Sequence, residues 1–274
     1  MIFIMDELVP TLTERLHLLG NPAVPQLFDL SLDAASDDDA QWEAVRLLQL
    51  IGSRDVLEHA ARWCESDDSV RRARGADVLA QLGKTLAHPE NNFPDECFAV
   101  VSRLVREETE TAPLESGIFA LGHIGNPAAV DVLVGLHEDS RSEVRYAVAV
   151  ALGSFANIPA AAAALLELMR DANPRTRDWA TCGVGVLGDL DSDEIRQALV
   201  SRLTDEDTDT REEALLALAK RGDPRSLGPL LILLEEEEPS LPVTEAARFL
   251  LGIEEDRGYQ SAAEYWAALQ VRFQ

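Results

Sequence analysis

The chain has 274 residues, 46% of them apolar, and its 49 acidic against 24 basic side chains leave a formal charge of −25. That apolar content suits a folded chain with a large core and excludes an intrinsically disordered one. The charge argues against direct binding to a nucleic-acid backbone or an anionic membrane, both of which need clustered Lys and Arg, and favours a basic protein partner.

The N-terminal MIFIMDEL is too short an apolar run, with no basic residue before it, to be a signal peptide. No stretch reaches the roughly 18 uncharged apolar residues of a membrane helix. Cys64, Cys97 and Cys182 are widely separated and form no C-x-x-C pair, which suits a reducing cytoplasm. Residues 5–19 are expected to form a helix capping the N-terminus (1–20), with Asp6 and Glu7 favouring its start. Pro22–Leu32 then pairs with Gln41–Ile51 across the acidic turn Ser36–Asp39, and Asp55–Cys64 pairs with Ser69–Leu82. Lys84–Pro94, with two prolines and two adjacent asparagines, reads as an extended loop. Regular helix pairs resume from Asp95 to Leu234, and Glu235–Glu238 is a solvated helix end. Residues 259–274 carry the C-terminal cap, an amphipathic helix Ser261–Phe273 with Tyr265, Trp266 and Phe273.

A pattern recurs along this order, clearest in Arg177–Gly188. With Arg177 as position zero, small or apolar residues fall at +3, +4, +6, +7 and +10 (Ala180, Thr181, Gly183, Val184, Leu187), and Gly188 closes at +11. The frame starts again at Gln41, Arg72, Leu114, Arg145, Arg211 and, more loosely, Thr244, at intervals of 31, 42, 31, 32, 34 and 33 residues. A period in the thirties marks a helical repeat array. Positions +3, +4, +7 and +10 share one face of a three-turn helix, and the closing glycine suits the left-handed residue after a helix end. A leucine-rich helix precedes each such helix, so one unit is two antiparallel helices that bury their apolar faces only by stacking. The interval of 42 is the one the Lys84–Pro94 loop lengthens.

Ser142–Gly153, Asn173–Gly188 and Thr208–Pro224 carry D-x-x-V-R-x-x-A-x-x-A-L-G-x-L-G-D-P in whole or part. This resembles the HEAT repeat, in the short form also found in phycobilin lyase subunits, over roughly residues 22–252. The resemblance implies an all-α, right-handed α-α superhelix, a solenoid of about seven helix pairs running through residues 1–274, whose second helices line the inner, concave surface. It says little about activity, because such repeats serve unrelated functions. Ala61–Gly83 further resembles small HEAT-like proteins found beside bacterial Rhs-type toxin genes, which implies a cytoplasmic immunity protein that blocks a toxin domain. A general assembly scaffold or adaptor shares the same features.

The residues offer little chemistry. Asp189-x-Asp191-x-Asp193 and Asp205-x-Asp207-x-Asp209 mimic calcium loops but have Glu194 and Thr210 where the loop needs Gly, and Val200 and Leu216 where it needs Glu. His59 and Cys64 share a helix without a metal-binding spacing, and a packed helix residue is the plainer reading. Gly183–Gly188 lies inside a helix in repeat register, so it serves helix packing rather than phosphate binding. No catalytic signature, metal site or cofactor is expected. A HEAT-like DNA glycosylase, casting Trp42, Asp178 and Trp179 as its groove residues, sits poorly with the charge, and a bilin-lyase-type enzyme rests on the repeat alone.

The face left over is the candidate site. Positions +1, +2, +5 and +9 point away from the core and include Trp42; Arg74 and Asp77; Glu115, Phe119 and His123; Tyr146; Asp178, Trp179 and Cys182; Glu212, Glu213 and Leu216; and Glu245 and Phe249. Aromatic rings beside carboxylates have the composition of a protein-binding surface. The alternative is that neighbouring second helices absorb the rings as core. The free protein is expected to be a monomer.

Overall fold

The computed structural model describes residues 23–32, 38–235, 238–253 and 261–273. The capping helix expected over 5–19 and the turn at 36–37 lie outside these residues. The described residues are helical with no strand, and they divide into two compact units, 1–132 and 133–274. None of the described helices is long and apolar enough to cross a membrane.

The first unit contains α1 (Val24–Leu30), α2 (Asp38–Ile51), α3 (Arg54–Cys64), α4 (Ser69–Ala80), α5 (Pro94–Glu107) and α6 (Thr111–Ile124), and the division falls within α7 (Ala129–Val134). Successive pairs stack in two layers: α2, α4 and α6 pack side by side, as do α1, α3 and α5. The second unit holds α8 (Ser142–Gly153), α9 (Pro159–Leu168), α10 (Pro174–Cys182), α11 (Asp193–Arg202), α12 (Thr208–Lys220), α13 (Leu227–Leu233), α14 (Leu241–Leu251) and α15 (Ala262–Arg272). There α8, α10, α12 and α14 form the second-helix layer, and α15 packs on α14.

Local sequence accounts for the helix starts. Asp68, Asn173, Ser192, Asp207, Ser240 and Ser261 each accept a hydrogen bond from a first-turn backbone N–H, satisfying donors that the helix itself leaves free. The core is where the repeat frame puts it. Ala44, Val45, Leu48, Ala76, Leu79, Ile118, Leu121, Val148, Leu152, Ala214 and Leu218 are all buried. His59 stacks on Phe28, with ring centroids 4.2 Å apart, and Trp63 meets Phe28 edge-on; this is the packed reading of that histidine.

An arginine at position zero ties four of the second helices to the turns beside them. Arg72, Arg145, Arg177 and Arg211 donate from Nη1 to two carbonyls of the preceding turn, at 2.7–3.2 Å. Three of them also reach one repeat ahead: Arg72 to Glu108, Arg145 to Asp171 and Arg177 to Asp205. Fork-shaped guanidinium contacts of this kind are strong and directional. Two carboxylates of the apparent calcium loops are likewise engaged by arginine, Asp205 with Arg177 and Arg202, and Asp191 with Arg196.

Of the expected Lys84–Pro94 loop, residues 84–93 are non-helical and anchored at their base, while Pro94 already opens α5. Asn91 donates to the Leu79 carbonyl at 2.9 Å and Asn92 to the Gly52 carbonyl at 2.8 Å. Gly83, with φ at 81°, lies so close to the Asn92 amide that a Cβ there would sit 2.1 Å from its carbon. Glycine is thus required by both backbone and packing.

Two expectations are corrected. The stretch that displays the pattern best is where the helix changes form: Gly183–Leu187 is a π-turn, closed by a 2.9 Å bond from Gly188 N–H to Gly183 O. One extra residue per turn shifts the register, so Leu187 is 51% exposed instead of core, and Gly188 has φ of −88° instead of a left-handed value. Close packing accompanies the change, since a Cβ on Gly185 would lie 2.4 Å from that of Ala217. Arg221 donates to the carbonyls of Val184, Gly185, Gly188 and Leu190, groups the irregular turn leaves available. Leu216, read as outward at +5, is buried in the C-terminal cluster with Leu230, Val243 and Leu250.

Candidate functional site

In the first unit the outward positions of α2, α4 and α6 form one connected row. Trp42 is 47% exposed, and the Arg74 guanidinium lies 4.7 Å from its ring centroid. Arg74 also donates to Gln41 Oε1 at 3.5 Å and to Asp77 Oδ2 at 3.4 Å. Ser116 hydrogen-bonds the same carboxylate, which burial pushes above the ordinary range and Arg74 pulls back down. Glu115 and Phe119 follow, half-buried on α6. His123 is exposed at the end of that helix, and its backbone carbonyl accepts from Lys84 of the loop. This row is aromatic and internally neutralised.

The second unit's row differs in charge. Tyr146 on α8 is half-buried, its hydroxyl accepting from Arg175 at 3.1 Å while that guanidinium lies 4.4 Å from the ring centroid. Trp179 on α10 is 37% exposed. Beside it Asp178 and Cys182, one turn apart, face α12, where the Cys182 thiol donates to the Glu213 carboxylate. The other oxygen, Glu213 Oε2, is buried with no hydrogen-bond partner. Asp207 at the N-cap of α12, Asp209 in its first turn and Glu212 add further negative charge. Among the described residues no basic side chain forms an ion pair with Asp178 or Glu213, whereas Asp171 and Asp205 at the turns are paired with arginines.

Burial without a cation has a direct consequence. The Asp178 carboxyl is pushed up to about 6, by desolvation first and then by Asp209 and Asp207. That of Glu213 is pushed up to about 7, by desolvation and then by Asp178, with the Cys182 hydrogen bond acting the other way. Burial and the neighbouring Glu213 push the Cys182 thiol up to about 12, so it stays protonated and is a poor nucleophile. The pair can hold a proton or accept a cation.

Further along, Glu212 accepts from Ser240 Oγ at 2.6 Å. Glu245 and Phe249 on α14 line a cavity of about 270 Å³ with Arg248 and Ile253, and Phe249 is 50% exposed. The structure thus leaves Trp42, Trp179 and Phe249 on the surface, while Phe119 and Tyr146 are partly covered by their neighbours. Arg175 and Ser240 join the row although their residue types alone do not single them out. Their signal is spacing, since Arg175 lies 29 residues beyond Tyr146 and Ser240 lies 28 beyond Glu212, each close to one repeat.

A HEAT-repeat family profile matches residues 104–185 and 183–251. Protein YibA of Escherichia coli is 27% identical over 210 residues, which cover 74% of this chain and 72% of YibA. The X-ray structure of E. coli YibA superposes with a TM-score of 0.72 at 22% identity, covering 99% of this chain and all of that one. A crystal structure of an engineered protein gives a TM-score of 0.54 at 18% identity over 95% of this chain and 75% of its own. Helix pairs at a period in the thirties, a buried arginine heading the second helix and a profile match over more than half the residues lead to one conclusion: this chain belongs to the HEAT-repeat family.

Proposed function

We propose that this chain is a non-enzymatic protein-binding module whose acidic, aromatic second-helix face engages a basic protein partner. The observation that carries the reading is the uncompensated pair Asp178 and Glu213 beside the exposed ring of Trp179. A partly buried carboxylate without a cation is costly in the free protein, and an arginine or lysine from a partner relieves that cost while the indole supplies an apolar anchor. The net charge of −25 steers such a partner in from a distance. In its most concrete form the module is a cytoplasmic bacterial immunity protein that occupies the polyanion-binding surface of a basic toxin domain.

The test is affinity capture from the native host with the wild-type chain and a Glu212→Lys/Glu213→Lys variant, after circular dichroism has verified that the variant is helical. The wild type is expected to retain a basic protein in a salt-sensitive manner, and the variant to bind it with slowed association. Equal capture and equal association rates would place the partner elsewhere, and an acidic or nucleic-acid partner would overturn the reading.

A further inference from the structure

The first-helix side of the second unit carries a cluster that the proposed binding face does not use. Helix α7 ends at Val134, the chain turns through residues 135–138, and Glu167 lies one repeat on, near the end of α9. His137 Nδ1 is 2.6 Å from the Val134 carbonyl oxygen, and Nε2 is 3.1 Å from Glu167 Oε2. One oxygen of Glu138 completes a group in which the ligand atoms of all three side chains lie within 4.8 Å of one another.

The chemistry of these contacts is informative. A carbonyl oxygen only accepts, so the Nδ1 contact requires the ring proton on Nδ1. Nε2 then faces a carboxylate oxygen at 3.1 Å, a contact that a positive charge between the two atoms must hold, either a proton on Nε2 or a metal ion. Neighbouring acids have a cation in the protein: Asp139 is paired with Arg141, and Asp171 with Arg145. Among the described residues neither Glu138 nor Glu167 is paired with an arginine or lysine, and the backbone carbonyls at the end of α7 add negative potential.

We propose that His137, Glu138 and Glu167 bind one divalent transition-metal ion of the zinc class. Zinc holds nitrogen and oxygen ligands at about 2.0–2.2 Å, so tetrahedral ligands stand about 3.4 Å apart, and small rotations of two exposed glutamates reach that spacing. A histidine whose second ring nitrogen is fixed by a backbone carbonyl is oriented as metal-binding imidazoles are. The imidazole in the donor set favours zinc, cobalt or nickel over magnesium and calcium. With three protein ligands, a fourth position remains for water. The ion would fasten the turn after α7 to α9, linking two successive repeats. The sequence alone does not suggest the site, because His137 and Glu167 are separated by 30 residues and only the stacking of repeats brings them together.

The test uses the full chain, stripped with a chelator and titrated with zinc chloride by calorimetry, with cobalt absorption as a second readout. A single saturable ion per chain is expected, absent in His137→Ala and weakened roughly tenfold or more in Glu167→Gln, the scale on which partners in a metal site alter affinity. Zinc should raise the melting temperature of the wild type and not that of His137→Ala, because only the folded state holds the site together. Magnesium should do neither. No saturable binding, or equal binding by His137→Ala, would overturn the assignment and leave the His137–Glu167 contact as a link between two repeats alone.

Discussion

The carboxyl of Glu213, raised to about 7 from an ordinary value near 4.5, makes stability depend on pH in a defined direction. Its folded-state value lies above that of the unfolded chain, so between about pH 4.5 and 7 the native state holds more protons and stability falls as pH rises. The favourable contribution is complete below pH 4.5 and is lost as pH passes 7. A shift of about 2.5 units corresponds to about 3 kcal/mol at 1.36 kcal/mol per unit. Because Glu213 is only partly removed from water, screening reduces this to about 1–2 kcal/mol. Glu213→Gln keeps the shape and an acceptor for the Cys182 thiol while deleting the charge. It should stabilise the protein at pH 8 by that amount, a rise in melting temperature of about 3–6 °C for a chain this size, and make no difference at pH 4.5. Asp178→Asn should behave alike with its transition nearer pH 6. The assay is thermal unfolding of wild type and variant in parallel from pH 4.5 to 8, comparing their difference at each pH so that the general effect of the acidic surface cancels. A difference independent of pH, or a destabilised variant at pH 8, would refute the claim that the pair is buried and uncompensated. A gain in stability joined to a loss of partner binding would mark the strain as functional.

Trp179→Ala should speed dissociation of a captured partner and weaken binding by about 2 kcal/mol or more if the ring is an anchor, with little change in melting temperature because the indole is already 37% exposed; a fall of several degrees with unchanged affinity would make it a packing residue. Arg177→Lys keeps the charge but loses the fork that joins Asp205 to the carbonyls of Asp171 and Ala172, so denaturant unfolding should show a loss of about 2–3 kcal/mol, and an unchanged midpoint would mean the ladder is decorative.

The period, the pairing of helices and the burial of +3, +4 and +7 were legible in the sequence. They follow from local rules, because each unit is an amphipathic pair and contacts only its neighbours. Capping residues and leucine content place most helices within a turn, and the outward positions +1, +2 and +5 include Trp42, Trp179 and Phe249, which are exposed. What local rules could not reach depends on groups one repeat apart. The π-turn at Gly183–Leu187 arises where Gly185 meets Ala217 and Arg221 reaches back across the repeat, contacts invisible to a pattern that predicts a regular helix there. The burial of Leu216 depends on α13 and α14 closing over it. Charge in the sequence predicts an acidic surface, but which carboxylates are neutralised is decided by stacking: the repeat offset sets Asp205 against Arg177, and sets Glu213 against Asp178 and Cys182 with no cation. Sequence spacing fixed which residues share a face; the distance between adjacent helices decided which of them bind each other and which are left to bind something else.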